Sequence, residues 1–165
     1  MNEGKMHLGN RFFKHKYMTM DIERSIMYID TFQDFERMYT DELIDGNILL
    51  GDYLDKLLKN YKVTARELAE VTGYNYDYFR KVLRGTRDNP ERDFLLAICV
   101  YIRATVEETQ TLLRYAGQQP LYARRKRDAL IWYALMKKHG LTALDIFLTE
   151  RNYPALKKTP KKDEE

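Results

Sequence analysis

Apolar residues recur through most of the chain with the spacing of amphipathic helices. Residues 49–61 are the clearest case, because their apolar positions lie three or four residues apart and share one helix face. That face consists of Leu50, Tyr53, Leu54, Leu57 and Leu58. Similar patterns predict helices over residues 92–103 and 106–116. The sequence therefore predicts an all-α protein.

Residues 64–85 predict two short helices joined by a tight turn. Thr64 can cap the first helix and form a capping box with Glu67, three residues later. Gly73 stands where the turn requires a positive φ, and Asn75 can cap the second helix. Gly85 is expected to end that helix. This order of signals predicts a helix-turn-helix.

The second helix, from Asn75 to Leu83, has an apolar side and a polar side. Its expected packed positions, with the preceding turn, are Tyr74, Phe79, Val82 and Leu83. Its expected outward positions are Tyr76, Asp77, Arg80, Lys81 and Arg84. An exposed helix with this composition is typical of a reading helix that enters the major groove of DNA.

The run Leu-Ala-Glu-Val-Thr-Gly at 68–73, followed by Val-Leu-Arg-Gly at 82–85, resembles the lambda-repressor/Cro-type (xenobiotic-response-element) family. The resemblance implies a five-helix domain over residues 47–117 that binds double-stranded DNA as a homodimer. It implies base-facing positions at Asn75, Tyr76, Asp77, Arg80 and Lys81. It also implies phosphate contacts from Thr64, Arg66, Arg84 and Arg87.

Two departures from that family leave a second interpretation open. Ala65 occupies a position where the family often has glutamine or another polar residue. Asp77 brings a carboxylate to the front of the reading helix, where it must accept from a cytosine, pair with a neighbouring cation or stabilise the helix N-terminus. A domain of this kind also suits a protein-protein interaction adaptor that uses the helix-turn-helix as a scaffold.

Charge is distributed unevenly along the chain. Residues 1–46 have a net charge of −3, residues 47–117 of +1 and residues 118–165 of +5. Because phosphate neutralisation supplies most non-specific affinity for DNA, a near-neutral domain needs cations from elsewhere. The densest cluster is Arg124, Arg125, Lys126 and Arg127, which we expect to contact phosphates. The alternative is a solvated helix start.

The C-terminal extension, residues 118–156, is expected to form a helical pair over 129–138 and 142–151. An offset of 35 aligns residues 95–121 with 130–156, which suggests a weak duplication or two similar hairpins. The arrangement resembles an extension found in regulators of Gram-positive bacteria. It could form the dimer or contact a protein partner. Residues 157–165 are polar and interrupted by Pro160, so we expect a disordered tail.

The N-terminal arm, residues 1–46, is expected to be partly helical. Patterns over 21–28 and 32–39 predict two short helices, and Thr31 can cap the second. Phe32, Phe35 and Met38 fall on one side of that second helix. An amphipathic arm of this kind would pack on the body of the protein or on a partner subunit.

The sequence contains little that could support catalysis. His7, His15 and His139 are far apart and lack metal-ligand spacing, and no phosphate loop or nucleophile motif occurs. We therefore expect no enzyme activity, no metal and no cofactor. The one cysteine, Cys99, lies in an apolar segment and is expected to be a core residue, with redox sensing as the alternative. No apolar run is long enough to span a membrane, so we expect a cytoplasmic protein.

Overall fold

The computed structural model describes residues 19–40, 43 and 46–159. Within these residues the protein has nine α-helices and no strand, which confirms the all-α prediction. The helices are α1 (Thr19–Ile26), α2 (Phe32–Tyr39), α3 (Gly46–Tyr61), α4 (Ala65–Thr72), α5 (Tyr76–Leu83), α6 (Arg92–Tyr101), α7 (Val106–Tyr115), α8 (Lys126–Lys137) and α9 (Leu141–Glu150).

The chain divides into two compact units, Met1–Asp45 and Gly46–Glu165. The first unit contains α1 and α2; α2 has the predicted bounds, whereas α1 begins and ends two residues before the predicted 21–28. Thr31 caps α2 by accepting from the Asp34 N–H at 3.1 Å. Phe32 and Met38 are exposed, and Tyr39 is the one buried residue among 20–40.

In the second unit, α3 crosses α5 at close range. A Cβ at Gly51 would lie 2.6 Å from the Leu83 carbonyl oxygen, so the crossing requires a glycine there. Helix α3 begins three residues before the predicted start. Tertiary contacts account for the extra turn, because Asn47 Nδ2 donates to Asp88 at 2.5 Å and Gly85 lies against Asn47 and Ile48.

Three helical hairpins, α3–α4, α6–α7 and α8–α9, each have a left-handed residue between their two helices. A left-handed residue follows the first helix of each hairpin, one residue after α3 and α8 and two residues after α6: Lys62, Lys138 and Arg103 have φ of 55°, 57° and 57°. This conformation ends a helix, which explains why α6 stops at Tyr101 rather than at the predicted Arg103.

The hairpins α6–α7 and α8–α9 match one another in structure at the offset of 35 residues. Their second helices, Val106–Tyr115 and Leu141–Glu150, correspond residue by residue. Each is followed by a left-handed residue, Gly117 (φ 66°) in one copy and Asn152 (φ 61°) in the other. In each copy a polar side chain then accepts a backbone N–H at 2.7 Å: Gln110 from Leu121, and Asp145 from Leu156. The matching bonds support duplication over two unrelated hairpins.

The two copies are joined by reciprocal ion pairs. Arg92 binds the Asp128 carboxylate through two bonds of 2.9 Å, and Arg127 binds Asp93 through two bonds of 2.8 Å. Arg92 corresponds to Arg127 and Asp93 to Asp128 at the same offset of 35. Such an exchange of equivalent partners is the signature of a two-fold relation between like units.

The start of the expected disordered tail is bound to the second unit. The Lys157 N–H donates to Asp145 Oδ2 at 3.1 Å, and the Lys158 N–H donates to the Thr72 carbonyl at 2.9 Å. Residues 157–159 are therefore fixed, which differs from the expectation. The rest of the predicted tail, residues 160–165, lies outside the described residues.

Cys99 is fully buried in α6, as expected for a core residue. Burial raises the pKa of its thiol to about 12. Because the thiolate is the reactive species, this environment does not favour the alternative of redox sensing. Across the described part of the chain, the helices are too short or too polar to cross a membrane.

Candidate nucleic-acid interface

Helix α4 begins with half of the expected capping box. Thr64 Oγ1 accepts from the Glu67 N–H at 3.1 Å. The Glu67 carboxylate accepts instead from the Tyr101 hydroxyl at 2.7 Å, which ties α4 to α6. A complete capping box occurs at the start of α7, between Thr105 and Glu108. Thr64 is exposed.

The turn between α4 and α5 has the predicted geometry. Gly73 has a φ of 76°, and its N–H donates to the Ala69 carbonyl at 3.1 Å. Asn75 Oδ1 accepts from the Asp77 N–H at 2.7 Å, so Asn75 caps α5. The cap uses the carbonyl end of the Asn75 side chain, so the Nδ2 group takes no part in it.

Helix α5 is held by aromatic packing on its inner side. The Phe79 and Phe94 ring centroids are 4.6 Å apart, and Tyr78 meets Phe94 edge-on at 4.6 Å. Phe79 and Val82 are buried, as predicted, and Leu83 is partly buried. This packing fixes the rotation of α5 and therefore which side chains face outward.

The outward face of α5 is organised around Tyr76. The Arg66 guanidinium carbon lies 5.0 Å from the Tyr76 ring centroid, and that of Arg80 lies 5.9 Å from it. Cation–π contacts of this kind restrict long side chains that would otherwise sample many rotamers. One cation from α4 and one from α5 are thus brought to the same exposed ring.

Asp77 and Lys81 form an ion pair on the same face. Lys81 Nζ lies 3.0 Å from Asp77 Oδ2, one helical turn away. The hydrogen bond and charge of Lys81 hold the pKa of Asp77 below its ordinary value of 3.8. The carboxylate at the front of the helix is therefore matched by a cation from its own helix, which was one of its expected roles.

The loop that follows α5 contributes two exposed cations, Arg84 and Arg87. Arg87 lies over the Tyr78 ring, with 4.8 Å between its guanidinium carbon and the ring centroid. Tyr78 in turn accepts from the Glu91 N–H at 2.8 Å. The packed Tyr78 therefore orients Arg87 beside α5.

The predicted basic cluster is divided by its contacts. Arg124, Arg125 and Lys126 are exposed, and Arg125 donates to Gln119 Oε1 at 2.7 Å. The Arg127 side chain is committed to Asp93 and also donates to the Pro154 carbonyl at 3.1 Å. Arg127 thus joins the two hairpins, and a phosphate contact from it would break this pair.

Four acidic residues lie near the helix-turn-helix. An exposed carboxylate without a cation among them would interrupt the basic surface around α5. Asp52 is buried, Asp55 pairs with Lys59 at 2.6 Å and Asp77 pairs with Lys81. Glu70 is exposed and lines a cleft of about 610 Å³ together with Arg103 and Lys157. Three of the four carboxylates are thus buried or matched by a lysine.

The ring contacts of two cations, Arg66 and Lys158, were not anticipated from the sequence. The position of Arg66 over Tyr76 depends on how α4 crosses α5, and no local pattern encodes that contact. Lys158 reaches back to the turn, with its Nζ 4.7 Å from the Tyr74 ring centroid and 3.0 Å from Glu91. The Arg80 to Tyr76 spacing of four residues was a readable signal, since such positions are neighbours on a helix.

Comparisons of the chain with protein-family models, with curated proteins and with solved structures find no match.

Proposed function

We propose that the chain is a sequence-specific DNA-binding transcriptional regulator of the lambda-repressor/Cro type, with helices α3 to α7 as its five-helix domain. It acts as a repressor and binds double-stranded DNA as a homodimer in the bacterial cytoplasm. The observation that carries the proposal is the grouping of Arg66 and Arg80 around exposed Tyr76, on a helix whose rotation is fixed from within.

In the proposed complex, α5 lies in the major groove with Asn75, Tyr76, Arg80 and Lys81 toward the bases. Arg80 is suited to bidentate recognition of guanine, and Tyr76 to contact with a thymine methyl. Thr64, Arg66, Arg84 and Arg87 surround the helix and would bind phosphates, which position the protein without reading sequence. Arg124, Arg125 and Lys126 would add charge along the backbone.

The second candidate function is a protein-protein interaction adaptor. It is favoured by the Asp77–Lys81 pair, because a carboxylate matched within its own helix lowers the positive charge of the reading face. It is also favoured by the commitment of Arg127 to Asp93. An adaptor would bind a protein through α5 and would show only weak, salt-sensitive affinity for DNA.

The test is fluorescence anisotropy of the full chain against a randomised duplex pool and against its own upstream region, at two salt concentrations. Arg80→Ala should cost about 1–3 kcal/mol on the selected sequence and much less on scrambled DNA. Arg84→Ala should weaken all sequences alike and reduce the salt slope by about one.

Arg114→Ala is the matched control, because Arg114 is an exposed arginine on α7, outside the α4–α5 surface. It should leave both affinities unchanged. Equal losses for Arg80→Ala on selected and scrambled DNA would remove its base-reading role. Weak binding that is indifferent to sequence in the wild-type protein would favour the adaptor.

A further inference from the structure

The internal repeat identifies a surface on α8–α9 whose counterpart on α6–α7 is buried except at Glu91. We call this surface the outer face of α8–α9. It consists of Lys126, Leu130, Tyr133, Phe147 and Arg151, which correspond at the offset of 35 to Glu91, Leu95, Ile98, Leu112 and Ala116. Ile98 and Leu112 are 0% exposed, whereas Tyr133 is 57% and Phe147 is 39% exposed.

Amphipathic helices cover the counterpart surface on α6–α7. Helix α3 packs on α7, and α4 packs on α6. Aromatic side chains of the α4–α5 region, Tyr74, Tyr78 and Phe79, surround Phe94. A backbone of this form therefore already accepts amphipathic helices on this side, within the same chain.

The outer face of α8–α9 is continuous. His139 lies between the Tyr133 and Phe147 rings, with centroid distances of 5.8 and 6.1 Å, and Arg151 lies 5.8 Å from the Phe147 ring. Leu130 and Arg151 also line a cleft of about 570 Å³. Apolar surface with a cleft of this kind is typical of an interaction site.

The charges around this face select an acidic partner. Lys126 and Lys137 share the helix face of Tyr133, since these positions differ by four or seven residues. Arg151 adds a third cation, and the exposed Glu150 lies 3.8 Å from it. Two such faces packed on each other would bring like charges together.

The N-terminal unit has the complementary character. Residues 19–45 contain eight Asp or Glu and two Lys or Arg, a net charge of −6. Their apolar side chains are largely exposed: Met27 is 78%, Tyr28 77% and Phe32 73% exposed. Among residues 20–40 only Tyr39 is buried, so α1 and α2 present apolar side chains that a partner surface could cover.

We propose that a second copy of the chain binds the outer face of α8–α9 through helices α1 and α2. Each copy gives its acidic N-terminal helices to the other, so the exchange closes a two-fold dimer. The inference rests on the proposed function, because a helix-turn-helix protein that reads two half-sites needs two copies. It adds the surface and the segment through which they pair.

The first test is the molar mass of the full chain in solution, measured by light scattering over a dilution series without DNA. We expect a dimer. Tyr133→Glu should raise its dissociation constant roughly tenfold or more, as expected for an aromatic contact at the centre of an interface. Tyr122→Glu is the control, because Tyr122 is 55% exposed and lies outside the face. It should change nothing, and circular dichroism should show both variants folded.

The second test mixes two full-length variants, each with one of the two surfaces disrupted. Tyr133→Glu disrupts the outer face, and Phe32→Glu disrupts the N-terminal surface. Each variant alone should be largely monomeric. Their mixture should form a heterodimer, detected by native mass spectrometry, because one intact N-terminal surface then meets one intact outer face.

Three results would overturn the inference: a wild-type monomer, a dimer unaffected by Phe32→Glu, or a mixture that stays monomeric. A wild-type monomer would correspond to packing of α1 and α2 within one chain, and a dimer unaffected by Phe32→Glu to pairing of two outer faces. None of the three results depends on DNA. A dimer that binds DNA without selectivity would instead remove the proposed function and leave this inference intact.

Discussion

The hairpins α6–α7 and α8–α9 share a backbone but differ in what surrounds them. Both turn at a left-handed residue, both end at another, and both hold the following segment with one polar side chain. Yet Ile98 in the first is fully buried, while its counterpart Tyr133 is largely exposed. Local sequence signals thus define the hairpin, whereas its neighbours decide which side becomes core.

The ion pairs that join the hairpins are also unequal despite their symmetry. The Asp128 side chain is 4% exposed and that of Asp93 is 32% exposed. A carboxylate that is removed from water leaves a larger penalty when its partner is lost. The Arg92–Asp128 and Arg127–Asp93 pairs are therefore expected to have the same geometry but to contribute unequally to the free energy of unfolding.

The largest effect is expected at the Arg92–Asp128 pair. Arg92→Ala leaves the Asp128 carboxylate unpaired at 4% exposure and should cost about 3–5 kcal/mol in the free energy of unfolding. Arg127→Ala leaves the Asp93 carboxylate, which is 32% exposed and can be hydrated, and should cost about 1 kcal/mol. Urea denaturation of the two variants measures the difference. Equal losses would show that burial does not distinguish the pairs.

The same carboxyl predicts a loss of stability in acid. Burial alone would raise the pKa of Asp128, but hydrogen bonds from Arg92 and the Tyr122 N–H lower it below 3.8 overall. Because the folded pKa is depressed, its contribution is present above the unfolded pKa and is lost as pH falls through the folded value. Denaturation at pH 6 and pH 3 should show this loss in the wild type, and Asp128→Asn should reduce the dependence.

Core truncation comes next in size. Ile98→Ala should cost about 2–5 kcal/mol, because it leaves a cavity between packed helices. Tyr133→Ala at the matching position should stay within about 0.5 kcal/mol for the isolated chain. Thermal melts at low protein concentration separate these values from any effect of dimerisation. A costly Tyr133→Ala under those conditions would contradict its exposure.

A smaller effect is expected where a side chain holds the exit segment. Asp145→Ala leaves the buried Leu156 N–H without its acceptor and should cost about 1–3 kcal/mol. Gln110→Ala removes the equivalent bond to Leu121 and should fall at the lower end of that range. The matched pair can be compared by hydrogen exchange at Leu121 and Leu156, which should accelerate only in its own variant.

The smallest effect is expected at Gly117 and Asn152, the left-handed residues that follow α7 and α9. Gly117→Ala should cost about 1 kcal/mol from backbone strain alone, because a Cβ there meets nothing within 4 Å. Asn152→Gly should be neutral or stabilise by a few tenths of a kcal/mol. Differential scanning calorimetry resolves these changes. A large loss in Asn152→Gly would indicate that the amide has a role beyond its φ.

The sequence predicted those parts of the molecule that depend on near neighbours. Thr64 and Asn75 cap their helices and Gly73 has the expected positive φ, because caps and turns use atoms within three or four residues. The other half of the Thr64 capping box is absent because Glu67 binds the distant Tyr101. Helix ends were wrong where distant contacts intervene, as at Asn47, which extends α3 through its bond to Asp88.

The junction between the hairpins needed the structure. Arg127 could be read as an exposed cation because its partner, Asp93, is 34 residues away in the sequence. The repeated Arg-Asp pairs at 92–93 and 127–128 were a usable signal, since they extend the offset of 35. A repeated dipeptide indicates duplication, but only docked hairpins reveal that the pairs exchange partners.

The buried Cys99 is a built-in probe of local opening of the protein. A thiol-specific reagent can modify it only during an opening event, so the rate of labelling reports how often α6 is released from its surroundings. The repeat offers a second position for such a thiol probe, because Ala134 is the equivalent of Cys99 in α8 and is also buried. Comparing wild type with a Cys99→Ala, Ala134→Cys chain would reveal whether the two copies open as one cooperative block or one after the other.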